Sequence, residues 1–275
     1  MSTWATARRR PTSRARRPTA PAEAIVPEGD SLRRAAERLR IMEGEVVAVE
    51  TPHPRAAALG LAERIDGLRL ERVESVGKHL LIGFEGGHVL RSHLRMRGRW
   101  RVLAADATPF GLPWLILRGR SLQAVLWNGP VLELGKGRPA AVRRLGPDIL
   151  DDPPDLEGML GRLRAVAQGR EIGEALLDQS VVAGIGNMWR AEALHAARTS
   201  PLCTLAELSD DHLRGILDAA ARLMRAPRTR RLAYRRAGLP CRRCGARIAS
   251  RPQGDEARLA YWCPRCQAGT SRAGA

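Results

Sequence analysis

Apolar residues recur along this chain with two different periods, and the change of period divides it. From Ser31, the residues Leu32, Ala35, Ala36, Leu39 and Met42 follow a 3.6-residue repeat, while Arg33, Arg34, Glu37, Arg38 and Arg40 fall on the other face. This predicts an amphipathic helix with Asp30 as N-cap, ending near Glu43-Gly44. Short runs rich in branched and aromatic residues follow: Glu45–Glu50, Leu68–Val76, His79–Phe84, His88–Ser92, Arg99–Leu103, Trp114–Leu117 and Ser121–Trp127. They read as strands, with Glu85-Gly86-Gly87 as a hairpin turn. Pro52–Arg55 reads as a loop, Leu59–Ile65 as a second short helix, and Gly135-Lys136-Gly137 as a solvated turn. Closely spaced short strands predict an antiparallel sandwich or barrel.

After Gly146-Pro147-Asp148 the helical period returns. Leu156, Met159, Leu160 and Leu163 mark one helix, Ile172–Leu177 a short second, and Asn187–Ala197 and Ser209–Met224 a third and fourth. The Asp151-Asp152-Pro153-Pro154 stretch reads as a linker, which places a boundary near residues 147–153.

Composition sharpens this picture. The chain has 275 residues and a net charge of +17, and 44 of its 46 basic residues are arginine. The surplus favours a polyanionic partner, nucleic acid first. No stretch approaches about 18 continuous apolar residues, so no membrane span is expected. Residues 1–26 carry six arginines against one acid, Glu23, and have no apolar period. They read as a disordered basic leader, transit-like or not, or as sequence upstream of a misassigned start. In the second case Val26 is the initiation codon, and removal of its methionine leaves Pro27 as a terminal secondary amine beside the carboxylate of Glu28, a nucleophile for a sugar carbon.

Two Cys-x-x-Cys knuckles, Cys241/Cys244 and Cys263/Cys266, stand 18 residues apart. Four thiolates at this spacing suit one structural Zn2+ in a ribbon. The alternative, two disulfides, requires an oxidising compartment that nothing in the sequence indicates. The fifth cysteine, Cys203, reads as a small buried hydrophobe. Gly184-Ile185-Gly186-Asn187 lies between two helical segments, and a glycine turn opening a helix is a phosphate site in many settings and a plain joint in others.

These segments together resemble the formamidopyrimidine-DNA glycosylase and endonuclease VIII family. The resemblance rests on Pro27-Glu28-Gly29, on Ser75-Val76-Gly77-Lys78-His79, and on Ser92-His93-Leu94-Arg95-Met96-Arg97-Gly98. It rests also on Glu174 through Asp178-Gln179, Gly184-Ile185-Gly186-Asn187 and Ser200-Pro201, and on a closing zinc ribbon with Arg258 five residues before Cys263. It covers most of residues 27–266, and the opening and the Ser92–Gly98 run look more like the endonuclease VIII branch. Ser31 stands where many members carry a second acid.

The resemblance implies an α+β fold: an N-terminal antiparallel β-sandwich with flanking helices, a C-terminal helix-two-turn-helix domain and a zinc-ribbon hairpin. The expected division is residues 27–150 for a catalytic sandwich, 151–232 for helix-two-turn-helix DNA binding, and 233–270 for the four-cysteine finger. It implies a bifunctional glycosylase and apurinic/apyrimidinic lyase of base-excision repair, acting on oxidised bases, pyrimidines preferred. Pro27 would attack C1′ and cleave the strand by β- or β,δ-elimination through an iminium. Glu28 would donate a proton to the ring oxygen. Lys78 would contact a phosphate and assist the sugar chemistry. Asn187 and Arg258 would grip the backbone. Met96 would fill the gap left by an extruded base, although a core position for it stands open beside that reading. The implied partner is damaged DNA, with no membrane and no organic cofactor, and the chain is expected to be a cytoplasmic, nucleoid-associated monomer. Two rivals remain open at this level. One is a non-catalytic damaged-DNA-binding zinc-finger protein, if Pro27 is not terminal; the other is a zinc-ribbon protein that binds RNA.

Overall fold

A computed structural model describes residues 27–227 and 230–268. The leader expected over residues 1–26 lies outside the described residues. The first helix, α1 (Gly29–Leu39), continues as a 3-10 turn through Met42 and buries Leu32, Ala35, Ala36 and Leu39. Its N-cap is Glu28 rather than Asp30. Asp30 lies inside the first turn, 4% exposed, where its carboxylate accepts a hydrogen bond from the Trp189 indole at 2.9 Å and binds the Arg34 guanidinium. A tertiary contact has taken over the side chain that local chemistry assigned to the cap.

Eight strands follow: β1 (Ala48–Glu50), β2 (Leu70–Val76), β3 (His79–Phe84), β4 (His88–His93), β5 (Arg99–Ala104), β6 (Leu115–Arg118), β7 (Leu122–Trp127) and β8 (Val131–Lys136). They form two antiparallel four-stranded sheets, ordered β1-β6-β7-β5 and β2-β3-β4-β8. Their facing sides enclose a core that includes Val73, Leu80, Ile82, Phe84, Leu90, Trp100, Leu117 and Leu126, and α1 closes one side of it. Strand β8 corrects the sequence reading, because Lys136 pairs with His88 at the end of a strand instead of sitting in a turn. Gly135 and Lys136 are poor strand formers, and the edge position on β4 overrides them.

Two one-turn helices, α2 (Pro54–Ala57) and α3 (Ala62–Ile65), join β1 to β2. The first occupies the predicted loop, with Pro54 at its first turn and the His53 ring accepting from Arg55 N at 3.1 Å. The second is shorter than expected because Gly60, at φ +58°, precedes it.

A short helix α4 (Ala140–Arg143) leads into the helical half: α5 (Leu156–Ala165), α6 (Ile172–Ala175), α7 (Asn187–Ala196) and α8 (Asp210–Arg225, capped by Ser209). Ile149, Leu163, Leu176, Ile185, Leu194, Leu213 and Leu217 share its core, and Cys203 is buried there. Pro147–Leu150, just ahead of the Asp151–Pro154 stretch, are tied to the sandwich. The Asp148 carboxylate accepts from Gly77 N at 2.6 Å and Leu150 N at 3.0 Å, tying the β2–β3 turn to the start of the helical half. A final hairpin, β9 (Ala249–Gln253) and β10 (Arg258–Trp262), packs on α7. Among the described residues no helix is long and apolar enough to cross a membrane.

Candidate nucleic-acid site

The first amides of α7 have no partner within their own helix, and they point at the beginning of the described chain. Glu28 Oε1 accepts from Met188 N at 2.7 Å and Oε2 from Trp189 N at 3.2 Å, so a carboxylate 160 residues away in sequence satisfies this helix end. Close approach requires glycine on both sides. Gly29 N donates to Gly184 O at 3.1 Å. A Cβ on Gly29 would lie 2.9 Å from Gly184 Cα, and one on Gly186 would lie 2.3 Å from Glu28 Cδ. Gly184 itself has φ +96°.

The β2–β3 turn brings Lys78 to the same place. Gly77 has φ +58°, its amide is held by Asp148, and a side chain on it would press on Leu145 and Ala183. Burial pushes the Glu28 carboxyl above the usual carboxylate range, against the opposing pull of Lys78 and the two amides. Burial pulls the Lys78 ammonium down to about 8, with Glu28 acting the other way and Arg258 reinforcing the shift. Pro27, half-buried, directly precedes Glu28. The arrangement holds a protonatable acid and a titratable amine within electrostatic reach of each other beside the Pro27 backbone.

Asn187 opens α7, and Oδ1 accepts from Arg190 Nη2 at 2.6 Å. Arg190 is 1% exposed and also donates to Gly173 O at 3.1 Å, Gln253 Oε1 at 3.0 Å and Leu259 O at 2.9 Å. It therefore joins Asn187 to the strand that carries Arg258. Arg258 is half exposed, with Nε on Glu256 Oε2 at 2.9 Å, and its field reaches both Lys78 and Arg190. Sequence reading missed Arg190, one arginine among 44, whose only signal was its place one turn after Asn187. It also missed Glu192, buried on the same helix, which accepts from the backbone N of Leu232, Ala233 and Tyr234 at 2.8–3.0 Å. Asp148 was hidden in a Gly-Pro-Asp turn.

Met96 is not part of this cluster. It sits 52% exposed in the β4–β5 turn, outside the core. The turn is tight: Arg95 has φ +50°, its amide donates to His93 Nδ1 at 3.0 Å, and a Cβ on Gly98 would lie 2.7 Å from Leu94 O. His93 packs edge-on to His79 at 5.0 Å, and His79 neighbours Lys78, so the Met96 turn lies at the same end of the sheet as the β2–β3 turn. Burial, then the cations around them, hold both imidazoles neutral, His79 at about 3 and His93 at about 4.

The four cysteines converge as their spacing predicts. One Sγ from each of Cys241, Cys244, Cys263 and Cys266 lies within 4.8 Å of the others, with Cys241–Cys266 at 3.9 Å and Cys244–Cys263 at 3.4 Å. Tetrahedral Zn–S bonds of about 2.3 Å require S···S separations of about 3.8 Å, so the donor set fits zinc. Buried His195 places Nε2 3.6 Å from Cys241 Sγ, and Cys266 N donates to Cys263 Sγ at 3.4 Å, the outer hydrogen bonds that thiolates need.

Known proteins match both halves of the chain. Residues 26–125 match the model of the formamidopyrimidine-DNA glycosylase N-terminal domain, and residues 145–229 that of the formamidopyrimidine-DNA glycosylase H2TH domain. A probable endonuclease 8 2 of Streptomyces coelicolor is 37% identical, covering 89% of this chain and 95% of the relative. The DNA-(apurinic or apyrimidinic site) lyase Nei2 of Mycolicibacterium smegmatis is 35% identical over 88% of this chain and 99% of its own. A crystal structure of the Lactococcus lactis Fpg in complex with abasic-site DNA superimposes with a TM-score of 0.74 at 22% identity, over 87% of this chain and 99% of that one.

Proposed function

The chain belongs to the formamidopyrimidine-DNA glycosylase family, with endonuclease 8 proteins among its relatives, and from that membership we propose that Pro27 is the nucleophile of a DNA glycosylase and apurinic/apyrimidinic lyase. The observation that carries this reading is the carboxylate of Glu28 seated on the α7 amides. It fixes the residue next to Pro27 against the helix that begins with Asn187.

In the proposed reaction the Pro27 amine attacks C1′ of the damaged nucleotide. The glycosidic bond breaks with its electron pair leaving on the base, which takes up the proton the amine sheds, and Glu28, whose affinity for a proton burial raises, delivers a proton to O4′ as the ring opens. The resulting iminium is positively charged without a proton and acts as an electron sink. Loss of the C2′ proton then expels the 3′ phosphate, and a second elimination can follow at the 5′ side. Lys78, Asn187 and Arg258 grip the phosphates, and Arg258 exchanges Glu256 for the backbone anion. Exposed Met96 enters the helix where the nucleotide has left.

Oxidised pyrimidines are the proposed substrates. One structural zinc ion on the four cysteines cross-links the finger and supplies no reacting group. The proposed enzyme is a monomer and takes no organic cofactor. Borohydride trapping on an abasic-site duplex tests the nucleophile. A protein beginning at Pro27 is expected to form the covalent adduct, one extended through Met1 is not, and Pro27→Ala behind a processed start is expected to trap more weakly, through its primary amine. Equal trapping by all three would refute the assignment and leave the damaged-DNA-binding reading.

A further inference from the structure

The outer face of the β1-β6-β7-β5 sheet carries an aromatic stack that the chemistry above does not use. Ile116, Val125 and Trp127 are buried there under the β5–β6 loop, residues 105–113. Phe110 lies over Trp127 with ring centroids 5.8 Å apart and planes 24° from parallel. The Arg99 guanidinium stands 5.2 Å from the Phe110 centroid and 5.0 Å from that of Trp127. Yet Phe110 is 67% exposed, and Leu112, two residues on, is 54% exposed.

This exposure is not slackness. Gln123 Nε2 donates to Ala104 O and Ala107 O at 2.8 and 2.5 Å, Trp127 Nε1 to Phe110 O at 3.0 Å, and His53 N to Pro113 O at 3.0 Å. The loop is pinned along its length and holds the ring out in a fixed pose, with its ordering cost already met before any ligand arrives. Such a flat, rigid, solvent-facing π surface backed by a second ring and a cation matches the platforms on which nucleobases stack.

Its position names the base. Arg99 directly follows Gly98, which closes the Met96 turn, and Trp127 directly precedes Asn128, whose carbonyl would lie 2.8 Å from a Cβ on Gly98. The stack therefore stands at the same end of the sandwich as Met96. Residues 94–104 hold Arg95, Arg97, Arg99 and Arg101 and no acid, a charge pattern that suits a nucleic-acid strand and disfavours a basic or neutral protein partner. We propose that Phe110, supported by Trp127 and Arg99, stacks an unpaired nucleobase of the strand opposite the lesion. The inference rests on the DNA-repair reading of the site but not on the identity of the nucleophile.

The test is a duplex with a tetrahydrofuran abasic analogue opposite 2-aminopurine, titrated with the full protein. Stacking on an aromatic ring should quench 2-aminopurine when wild type binds. Phe110→Ala and Phe110→Leu should each lose most of the quench and weaken binding on the order of tenfold, whereas Phe110→Trp should keep both. The leucine variant keeps apolar bulk without a π face, which separates stacking from loop packing. Undiminished quench and affinity in the alanine and leucine variants would overturn the proposal. So would loss of quench in Phe110→Trp as complete as in alanine. Borohydride trapping on a natural abasic site, run in parallel, separates the two readings. Failure of wild type to trap with the quench intact removes the nucleophile assignment alone, and normal trapping with no Phe110 dependence removes this inference alone.

Discussion

Replacing Arg190 by methionine tests whether the phosphate grip depends on a buried cross-link. The arginine gives four hydrogen bonds, to Gly173 O, Gln253 Oε1, Asn187 Oδ1 and Leu259 O, from a side chain 1% exposed. Bonds from a charged donor contribute about 1.5–3 kcal/mol each, which gives a gross loss of roughly 6–12 kcal/mol. Offsetting this, the guanidinium is itself costly to bury, as its fall to about 10 shows, and methionine fills much of its volume without charge. Seen from the acceptors, four neutral groups, buried or partly so, are left without this donor, at about 1–3 kcal/mol each, and relief of the guanidinium's own burial cost offsets part of this, for a net loss of about 3–5 kcal/mol. For a chain of this size that corresponds to a fall in Tm of about 10 °C. The loss should concentrate where the bonds end. Amide exchange in Ala249–Trp262 should speed up, and affinity for tetrahydrofuran-containing DNA should fall by tenfold or more as Asn187 loses its tether. Arg190→Lys should not rescue, since one ammonium cannot serve four acceptors spread over three segments. Calorimetry, hydrogen exchange and fluorescence anisotropy read the three effects. A Tm within about 2 °C of wild type, with the hairpin equally protected, would show that Arg190 does not hold the hairpin to α7.

Lys78 carries a pH signature. Its ammonium, lowered to about 8, is charged below that pH and neutral above it. DNA affinity should therefore drop as pH rises through about 8, and Lys78→Arg should move the drop to higher pH; a profile unchanged by the substitution would exclude Lys78 as its source. Gly186→Ala places a methyl group where Glu28 Cδ sits, so base excision should fall at least about tenfold, and more than cleavage of a preformed abasic site, in single-turnover assays. Equal losses on both substrates would show that Glu28 does not act specifically in base release. Metal analysis should find one zinc per chain, and a strong chelator should remove it and DNA affinity together, with the far-ultraviolet signal of the sandwich preserved. Retention of full affinity without metal would show that the finger does not position Arg258.

The elements, and the chemistry that local pattern encodes, could be read along the chain. The 3.6-residue repeats of α1, α5, α7 and α8 and the branched runs of β2 through β7 are properties of neighbouring residues, so they were legible. The cysteine spacing was legible for the same reason, because a knuckle is a local object that a single ion completes. Where local preference and packing disagreed, packing won: Asp30 left the cap for Trp189, and Gly135-Lys136 joined an edge strand. Which residues share a charge environment, by contrast, is set by packing. Glu28 gains its raised pKa from burial against α7, Lys78 its lowered one from the same burial, and Arg190 its four partners from three separate segments. Burial and field at a point depend on atoms brought together from distant parts of the chain. No window of sequence contains them, and one arginine among 44 becomes distinguishable only when the fold encloses it.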